Sequence, residues 1–265
     1  FGCHKVEGFH DAWKAGPSLE HVQSKLDQDW IVRWLHNPRE FRPSTKMPRI
    51  FHLSNTSDPE SVEKNNAAIA GIAAYLTKNS DPVSLESPPQ KGDLKIGEKL
   101  VKDLGCLGCH TVGEAKANDH GPELSGLGSK VKEGWLYAWL KNPKHYFPET
   151  RMPNLRLNDE EASHITSFLL SQKNEKFESL QVPPVDPKVA DGLAMEFLRG
   201  SMRFEEAQEK LQKMTPDERL ELVGKKAIAQ QGCFGCHSIK GFSATQKDGS
   251  ASGGEDAKAI GTELT

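Results

Sequence analysis

Residues 106–110 read CLGCH, and residues 233–237 read CFGCH. Both stretches have the form Cys-x-x-Cys-His, the attachment signature of c-type haem. The two thiols add across the two vinyl groups of the haem, and two intervening residues let one turn of chain span those groups. The adjacent histidine then reaches the iron as its proximal ligand. The pattern therefore predicts covalent attachment through Cys106, Cys109, Cys233 and Cys236, with His110 and His237 on the iron.

A partial third copy of this motif opens the chain. Residues 1–4 read FGCH and repeat residues 234–237 letter for letter. One more cysteine before Phe1 would complete the motif, so we interpret the sequence as an interior fragment of a longer protein. On this interpretation Cys3 and His4 belong to a first haem, which also accounts for the odd total of five cysteines.

Cys-x-x-Cys pairs also occur in zinc sites and in redox dithiols. A zinc site would need two such pairs brought together and would not require a histidine directly after each pair. A thioredoxin-like dithiol needs a βαβ context, which this sequence does not offer. Two complete motifs and a four-residue remnant favour three haem c groups over either alternative.

An internal repeat follows the motifs. Residues 16–48 read GPSLEHVQSKLDQDWIVRWLHNPREFRPSTKMP, and residues 121–153 read GPELSGLGSKVKEGWLYAWLKNPKHYFPETRMP. The two segments align without a gap and share glycine, proline, tryptophan and methionine positions. The shared positions include Pro17/Pro122, Ser24/Ser129, Lys25/Lys130, Trp30/Trp135, Trp34/Trp139, Asn37/Asn142, Thr45/Thr150, Met47/Met152 and Pro48/Pro153. This pattern indicates a duplicated domain.

Each repeat places one methionine in a Thr-[Lys/Arg]-Met-Pro setting, at Met47 and Met152. A thioether sulfur is a soft, neutral ligand that favours ferrous iron and raises the reduction potential. The following proline restricts the chain so that the loop can present the sulfur. Packing in the core is the ordinary role of a methionine, but equivalent placement in both repeats favours Met47 and Met152 as distal iron ligands.

In order along the chain, Cys-x-x-Cys-His, Gly-Pro-x-Leu, a tryptophan-bearing helix, Met-Pro and a closing helix resemble the small class I cytochrome c domain, three times over. The resemblance implies an all-α fold wrapped around each haem. It also implies that the carbonyls of Pro17 and Pro122 accept the Nδ1 proton of His4 and His110. Trp30 or Trp135 would either approach a haem propionate or pack in the core, and the sequence leaves both roles open.

The sequence predicts three tandem cytochrome c-like domains. The first covers residues 1–80 and lacks its first helix and first cysteine. The second covers residues 91–172, and the third covers residues 215–265 and ends before its distal ligand. A helical linker segment, residues 186–214, precedes the third domain, and the proline-rich junctions 80–91 and 172–187 are expected to be stiff. Gly97 and Gly224 each lie nine residues before a motif, and the resemblance implies that a small residue here lets the first helix of a domain cross closely over its last.

The composition of the chain limits the classes of function that it can have. The net charge is −3, so no basic surplus suggests nucleic acid, and no apolar run is long enough to span a bilayer. Iron bound by both histidine and methionine has no open position for a substrate, which favours electron transfer. We expect a relay between respiratory redox partners, either free or as the cytochrome subunit of a membrane quinol-oxidising or related respiratory complex, at the periplasmic or extracytoplasmic face of a bacterial membrane. Two alternatives stay open: a peroxidase- or oxidase-like enzyme with the third haem reactive, and a sensing module with a five-coordinate haem.

Overall fold

The computed structural model describes residues 14–113 and 120–242. Over these residues the backbone forms helices, short 3-10 turns and loops, with no β-strand, so the predicted all-α fold class is confirmed. The α-helices in chain order are α1 (Val22–Lys25), α2 (Gln28–His36), α3 (Pro38–Phe41), α4 (Pro59–Lys78), α5 (Leu94–Asp103), α6 (Glu133–Lys141), α7 (Pro143–Tyr146), α8 (Asp159–Ser171), α9 (Glu175–Glu178), α10 (Pro187–Arg199), α11 (Phe204–Lys213), α12 (Pro216–Gln230) and α13 (Cys233–Cys236). None of the helices in this part of the chain is both long and apolar enough to cross a membrane.

The chain forms two compact units where the sequence predicts three domains. Among the described residues, unit 1 combines residues 14–23, 31–81 and 181–242, and unit 2 combines residues 24–30 with 82–113 and 120–180. The described parts of the predicted first and third domains therefore lie in one unit. The physical reason is that helix α12, which precedes the last motif, packs along α4, the closing helix of the first repeat.

Unit 1 is built on the crossing of α4 and α12. Helix α12 begins with a capping box, in which the Thr215 hydroxyl accepts from the Glu218 amide and the Glu218 carboxylate accepts from the Thr215 amide. At the crossing, Gly224 of α12 meets Gly71 of α4, and a Cβ on either glycine would overlap the backbone of the other helix. Only glycine allows two backbones to approach this closely.

The predicted helical segment 186–214 contributes α10 and α11 to unit 1. Helix α10 packs against both α4 and α12, and its apolar face buries Leu193, Ala194 and Leu198. Asp191 of α10 forms a 2.6 Å ion pair with Arg219 of α12. This segment is therefore part of the core of unit 1. It packs against α12, the helix that precedes the last motif, and stabilises its position.

Unit 2 repeats the same construction with α5 and α8. A Cβ on Gly97 of α5 would overlap the backbone carbonyl of His164 in α8, so these helices also cross closely. Helix α8 starts at a capping box formed by Asn158 and Glu161, and α6 packs on α8. The short helix α9 lies in the predicted junction 172–187, where it buries the ring of Phe177.

Two lysines of unit 2 make reciprocal contacts with tryptophan rings. The Lys25 ammonium lies 4.0 Å from the ring centroid of Trp135, and the Lys130 ammonium lies 5.1 Å from that of Trp30. Lys25 and Lys130 are equivalent in the sequence repeat, as are Trp30 and Trp135. Each position of the repeat thus supplies a cation to the tryptophan of the other copy, within the range of cation–π attraction.

Candidate haem-binding sites

Before each complete motif a helix ends and a glycine follows two residues later. Gly105 after α5 has φ 75°, and Gly232 after α12 has φ 66°, a left-handed conformation that favours glycine. The chain then coils into a single turn, a 3-10 turn at Cys106–Gly108 in unit 2 and α13 in unit 1. Each turn holds its two cysteines one turn apart, as attachment to two vinyl groups requires.

In unit 2 a backbone carbonyl orients the histidine of the motif. His110 Nδ1 donates to the carbonyl oxygen of Pro122 at 2.7 Å. This bond fixes the tautomer and leaves Nε2 with a free lone pair for a metal. The Gly121 amide donates to the Cys109 carbonyl at 2.9 Å and the Leu124 amide to the Thr111 carbonyl at 2.8 Å, so the Gly-Pro-x-Leu segment is clamped along the motif.

Unit 1 contains the same arrangement around His237. Its Nδ1 donates to the carbonyl oxygen of Pro17 at 2.8 Å. The Gly16 amide donates to the Cys236 carbonyl, and the Leu19 amide donates to the Ser238 carbonyl, both at 2.8 Å. Every bond of the unit 2 clamp thus has a counterpart in unit 1.

The histidine beside Pro17 differs from the one expected. The sequence predicts that Pro17 orients His4, but the structure places His237 there; Cys3 and His4 lie outside the described residues. Residues 234–237 are identical to residues 1–4, so the last motif carries the same docking groups. The last motif is also preceded by α12, whose Gly224 fits against the backbone of α4.

The two candidate distal ligands are held in equivalent ways. Trp34 Nε1 donates to Met47 Sδ at 2.9 Å, and Trp139 Nε1 donates to Met152 Sδ at 2.9 Å. The backbone amide of each methionine donates to the hydroxyl oxygen of the threonine two residues before it, at 3.2 Å in both units. The conserved geometry explains the Thr-x-Met pattern of the repeat.

Trp34 and Trp139 are shared positions of the repeat for which the sequence predicts no role. Each lies 13 residues before its methionine, and this common spacing is the signal that could have linked them. The structure gives Trp135 a packing role, with its ring stacked on Trp139 at 5.2 Å between centroids and edge-on to Tyr146 at 5.5 Å. A propionate contact for Trp30 or Trp135 stays a prediction.

The donor atoms fit haem c better than the alternatives. The four cysteines of the described residues form no disulfide. Burial raises the pKa of the Cys106 thiol and raises that of Cys233 to about 11, so neither has the lowered pKa of a reactive dithiol. Over residues 14–113 and 120–242 no three His, Cys, Asp or Glu side chains cluster as a metal site would require. Paired thiols, an imidazole with Nε2 available and a thioether are the donors that haem c uses.

Comparison with known proteins agrees with this geometry. The family model for cytochrome c matches residues 94–173, which contain the unit 2 motif, Pro122 and Met152. Cytochrome c of Ginkgo biloba is 36% identical over 103 residues, covering 31% of this chain and 88% of the relative. Cytochrome c of Sesamum indicum is 33% identical over 102 residues, covering 30% and 89%. No solved structure matches. Residues 94–173 form a class I cytochrome c domain of the kind that binds haem c, and the chain belongs to the cytochrome c family.

Proposed function

We propose that this protein is a multihaem electron-transfer cytochrome and not an enzyme. One observation supports the proposal: the two units contain the same two side-chain hydrogen bonds. In each, a histidine Nδ1 donates to a proline carbonyl, and a tryptophan indole donates to a methionine sulfur. A geometry repeated with distances that agree within 0.1 Å supports the same chemistry at both sites.

The residues divide into two ligand sets. In unit 2, Cys106 and Cys109 would hold the porphyrin, with His110 and Met152 on the iron. In unit 1, Cys233 and Cys236 would hold it, with His237 and Met47 on the iron. A third haem at Cys3 and His4, predicted from the partial motif, concerns residues outside the described part of the chain.

Haem c would supply at each site an iron centre that accepts and releases one electron. The protein's own groups set how readily this happens. The carbonyls of Pro17 and Pro122 make the imidazoles more basic and fix their orientation. The thioethers of Met47 and Met152 would favour the ferrous state. With a histidine and a methionine both bound to the iron, no position would be left for a substrate, which favours electron exchange over catalysis.

The partners follow from this chemistry. We propose that the chain passes electrons between other redox proteins or the subunits of a respiratory membrane complex. The expected place is the periplasmic or extracytoplasmic face of a bacterial membrane, because attachment of haem c takes place outside the bacterial cytoplasm. Direct contact with nucleic acid has no support in the charge of the chain.

Carbon monoxide tests the proposal, since it binds ferrous haem only where an axial position is open. The reduced holoprotein of a Cys3→Ser variant, which lacks the attachment of the predicted third haem, should show no change in its Soret band on addition of carbon monoxide. The variant Met152→Ala opens one site and should give a clear change, which shows that the assay detects an open haem. A carbon monoxide complex at either site of the unaltered protein would favour the enzyme alternative with a reactive haem.

A further inference from the structure

Helices α5 and α12 hold equivalent places in the two units, but one side of them differs in its exposure to solvent. Each helix leads into a Cys-x-x-Cys-His motif, and aligning the motifs makes Ile96 equivalent to Val223 and Leu100 equivalent to Ala227. In α12, Val223 is 0% exposed and Ala227 is 2% exposed. In α5, Ile96 is 47% exposed and Leu100 is half-buried. The same side of the helix is therefore covered in unit 1 and open in unit 2.

Helix α10 covers this side of α12 in unit 1. Arg219, Val223 and Ala227 are spaced four residues apart and so lie along one side of α12. Arg219 forms its 2.6 Å ion pair with Asp191 of α10, and α10 packs along α12, so this side of α12 faces α10. The buried apolar side chains of α10 are small residues and leucines, namely Ala190, Leu193, Ala194 and Leu198.

The corresponding side of α5 carries an apolar row that runs to the end of the helix. Ile96, Leu100 and Leu104 are spaced four residues apart and so lie next to one another; we call them the α5 row. Leu104 is 40% exposed. Helix α5 meets the backbone of α8 at Gly97, and this contact leaves the α5 row in water. Leaving adjacent apolar side chains of this size in water is costly, and such a patch commonly marks an interaction surface.

The charges beside the α5 row favour an acidic partner. Lys95 and Lys99 are exposed and border the row. Lys99 pairs with Asp103 of its own helix, but an exposed pair of this kind contributes little and is easily exchanged. In unit 1 the covering helix supplies the carboxylates and the covered helices supply the bases, since Glu196 of α10 also pairs with Lys64 of α4 at 3.3 Å.

We propose that the α5 row is the docking site of an amphipathic helix supplied by a partner protein. The partner helix would carry leucines and small residues on one side, bordered by carboxylates, as α10 does within unit 1. Its binding would give unit 2 the cover that unit 1 obtains from its own chain. The proposal goes beyond electron transfer and does not depend on the iron ligands.

The test uses α10 itself as the probe. A peptide of residues 186–200 is linked between positions 188 and 192, which are both exposed on α10, so that it is helical before it binds. It is titrated into the reduced holoprotein, and binding is followed by NMR of the backbone amides. The amide shifts should be largest between residues 95 and 104. A peptide with both Leu193 and Leu198 replaced by serine should bind at least about tenfold more weakly.

Two variants of the holoprotein locate the binding site. Ile96→Ser should lower the association constant of the peptide by roughly tenfold or more. Leu94→Ser is the matched control, because Leu94 is 49% exposed on the same helix but lies two positions from Ile96, on the other side of the helix. This control should change the association constant by less than about twofold.

Absence of peptide binding at a concentration on the order of 1 mM would overturn the proposal. Equal binding to Ile96→Ser and to the unaltered holoprotein would overturn it as well. Light scattering of the holoprotein tests a second copy as the occupant. A dimer that Ile96→Ser converts to a monomer would assign the α5 row to self-association and overturn the partner helix, whereas a monomer that binds the peptide at this row supports it.

Discussion

Gly224 of α12 lies against Gly71 of α4, with no room for a side chain on either residue. The two glycines are 153 positions apart in the sequence, yet their helices make the central crossing of unit 1. The crossing matters for the site because α12 leads directly into Cys233–Cys236, and α4 closes the segment that carries Pro17 and Met47. It brings the last motif to Pro17, whose carbonyl accepts the hydrogen bond from His237.

Gly224→Ala should therefore destabilise unit 1. The added methyl group must push the helices apart, at a cost of about 1–3 kcal/mol in the free energy of unfolding. Gly192→Ala is the matched control, because a Cβ at this position of α10 meets nothing within 4 Å and alanine stabilises a helix interior by up to about 1 kcal/mol. Denaturant unfolding of the holoprotein measures both. Equal midpoints for Gly224→Ala and the unaltered protein would contradict the close crossing.

The pairing of His237 with Met47 can be tested against the pairing expected from the sequence. Ferric Met-ligated haem shows a weak charge-transfer band at the red edge of the visible spectrum. His237→Ala should remove this red-edge band from the unit 1 site, because that iron would lose its proximal ligand. His110→Ala should remove the band of the unit 2 site and serves as the comparison. His4→Ala should leave both bands intact. If His4→Ala abolishes the unit 1 band while His237→Ala preserves it, the first motif and not the last one occupies that site.

The free energy of unfolding should decrease as the pH is lowered because of a histidine pair in unit 1. The rings of His36 and His52 lie 4.3 Å apart. Burial, and after it the charge of Arg49, lowers the pKa of His36 below 6.5. Burial, and after it His36 and Arg49, also lowers the pKa of His52, and the neighbouring Asn66 side chain acts in the opposite direction. The unfolded chain therefore binds more protons than the folded chain just below pH 6.5. The stabilisation is complete above that pH and is lost as the pH falls through the folded pKa values.

Thermal unfolding of the holoprotein between about pH 8 and about pH 5 measures this loss. His52→Asn should flatten the profile, because it removes one titrating ring. Asparagine suits the position, since His52 has φ 54° and asparagine tolerates the left-handed region. A stability that stays level or rises towards pH 5 in the unaltered protein would rule out this role for the pair.

The reciprocal lysine–tryptophan contacts of unit 2 should contribute measurably to its stability. Lys25→Gln and Lys130→Gln should each lower the free energy of unfolding by about 0.5–1 kcal/mol. Lys25→Arg keeps a cation over the Trp135 ring and should retain most of the stability. Chemical unfolding followed by tryptophan fluorescence provides the measurement. Identical unfolding curves for the glutamine and arginine variants would show that the charge over the ring has no energetic role.

Local features of the fold were predictable from the sequence. Helices α4 and α8 lie after Met47-Pro48 and Met152-Pro153, where the order of the motifs predicts a closing helix. Thr215 caps α12 as its Thr-Pro-x-Glu pattern indicates. These features depend on neighbours in the sequence, where capping and helical periodicity act directly.

Long-range pairings were not predictable in the same way. Residues 1–4 and 234–237 are identical, so no local signal distinguishes which histidine docks at Pro17. The choice shown by the structure depends on α12 and α4 meeting at two glycines far apart in sequence. Helix α9 was missed because four residues are too few to show periodicity. The tryptophan–sulfur bonds required the position of α2 and α6 relative to the methionine loops.

The intact mass of the holoprotein tests most directly whether one chain carries two complete haem sites. Produced in a host that attaches haem c, the chain should gain two haem masses at its complete motifs, and a third if Cys3 is also used. Replacing Cys106 and Cys109 together by alanine should remove one of these masses, and replacing Cys233 and Cys236 should remove another. A gain of one haem or none by the unaltered chain would contradict the two-site arrangement.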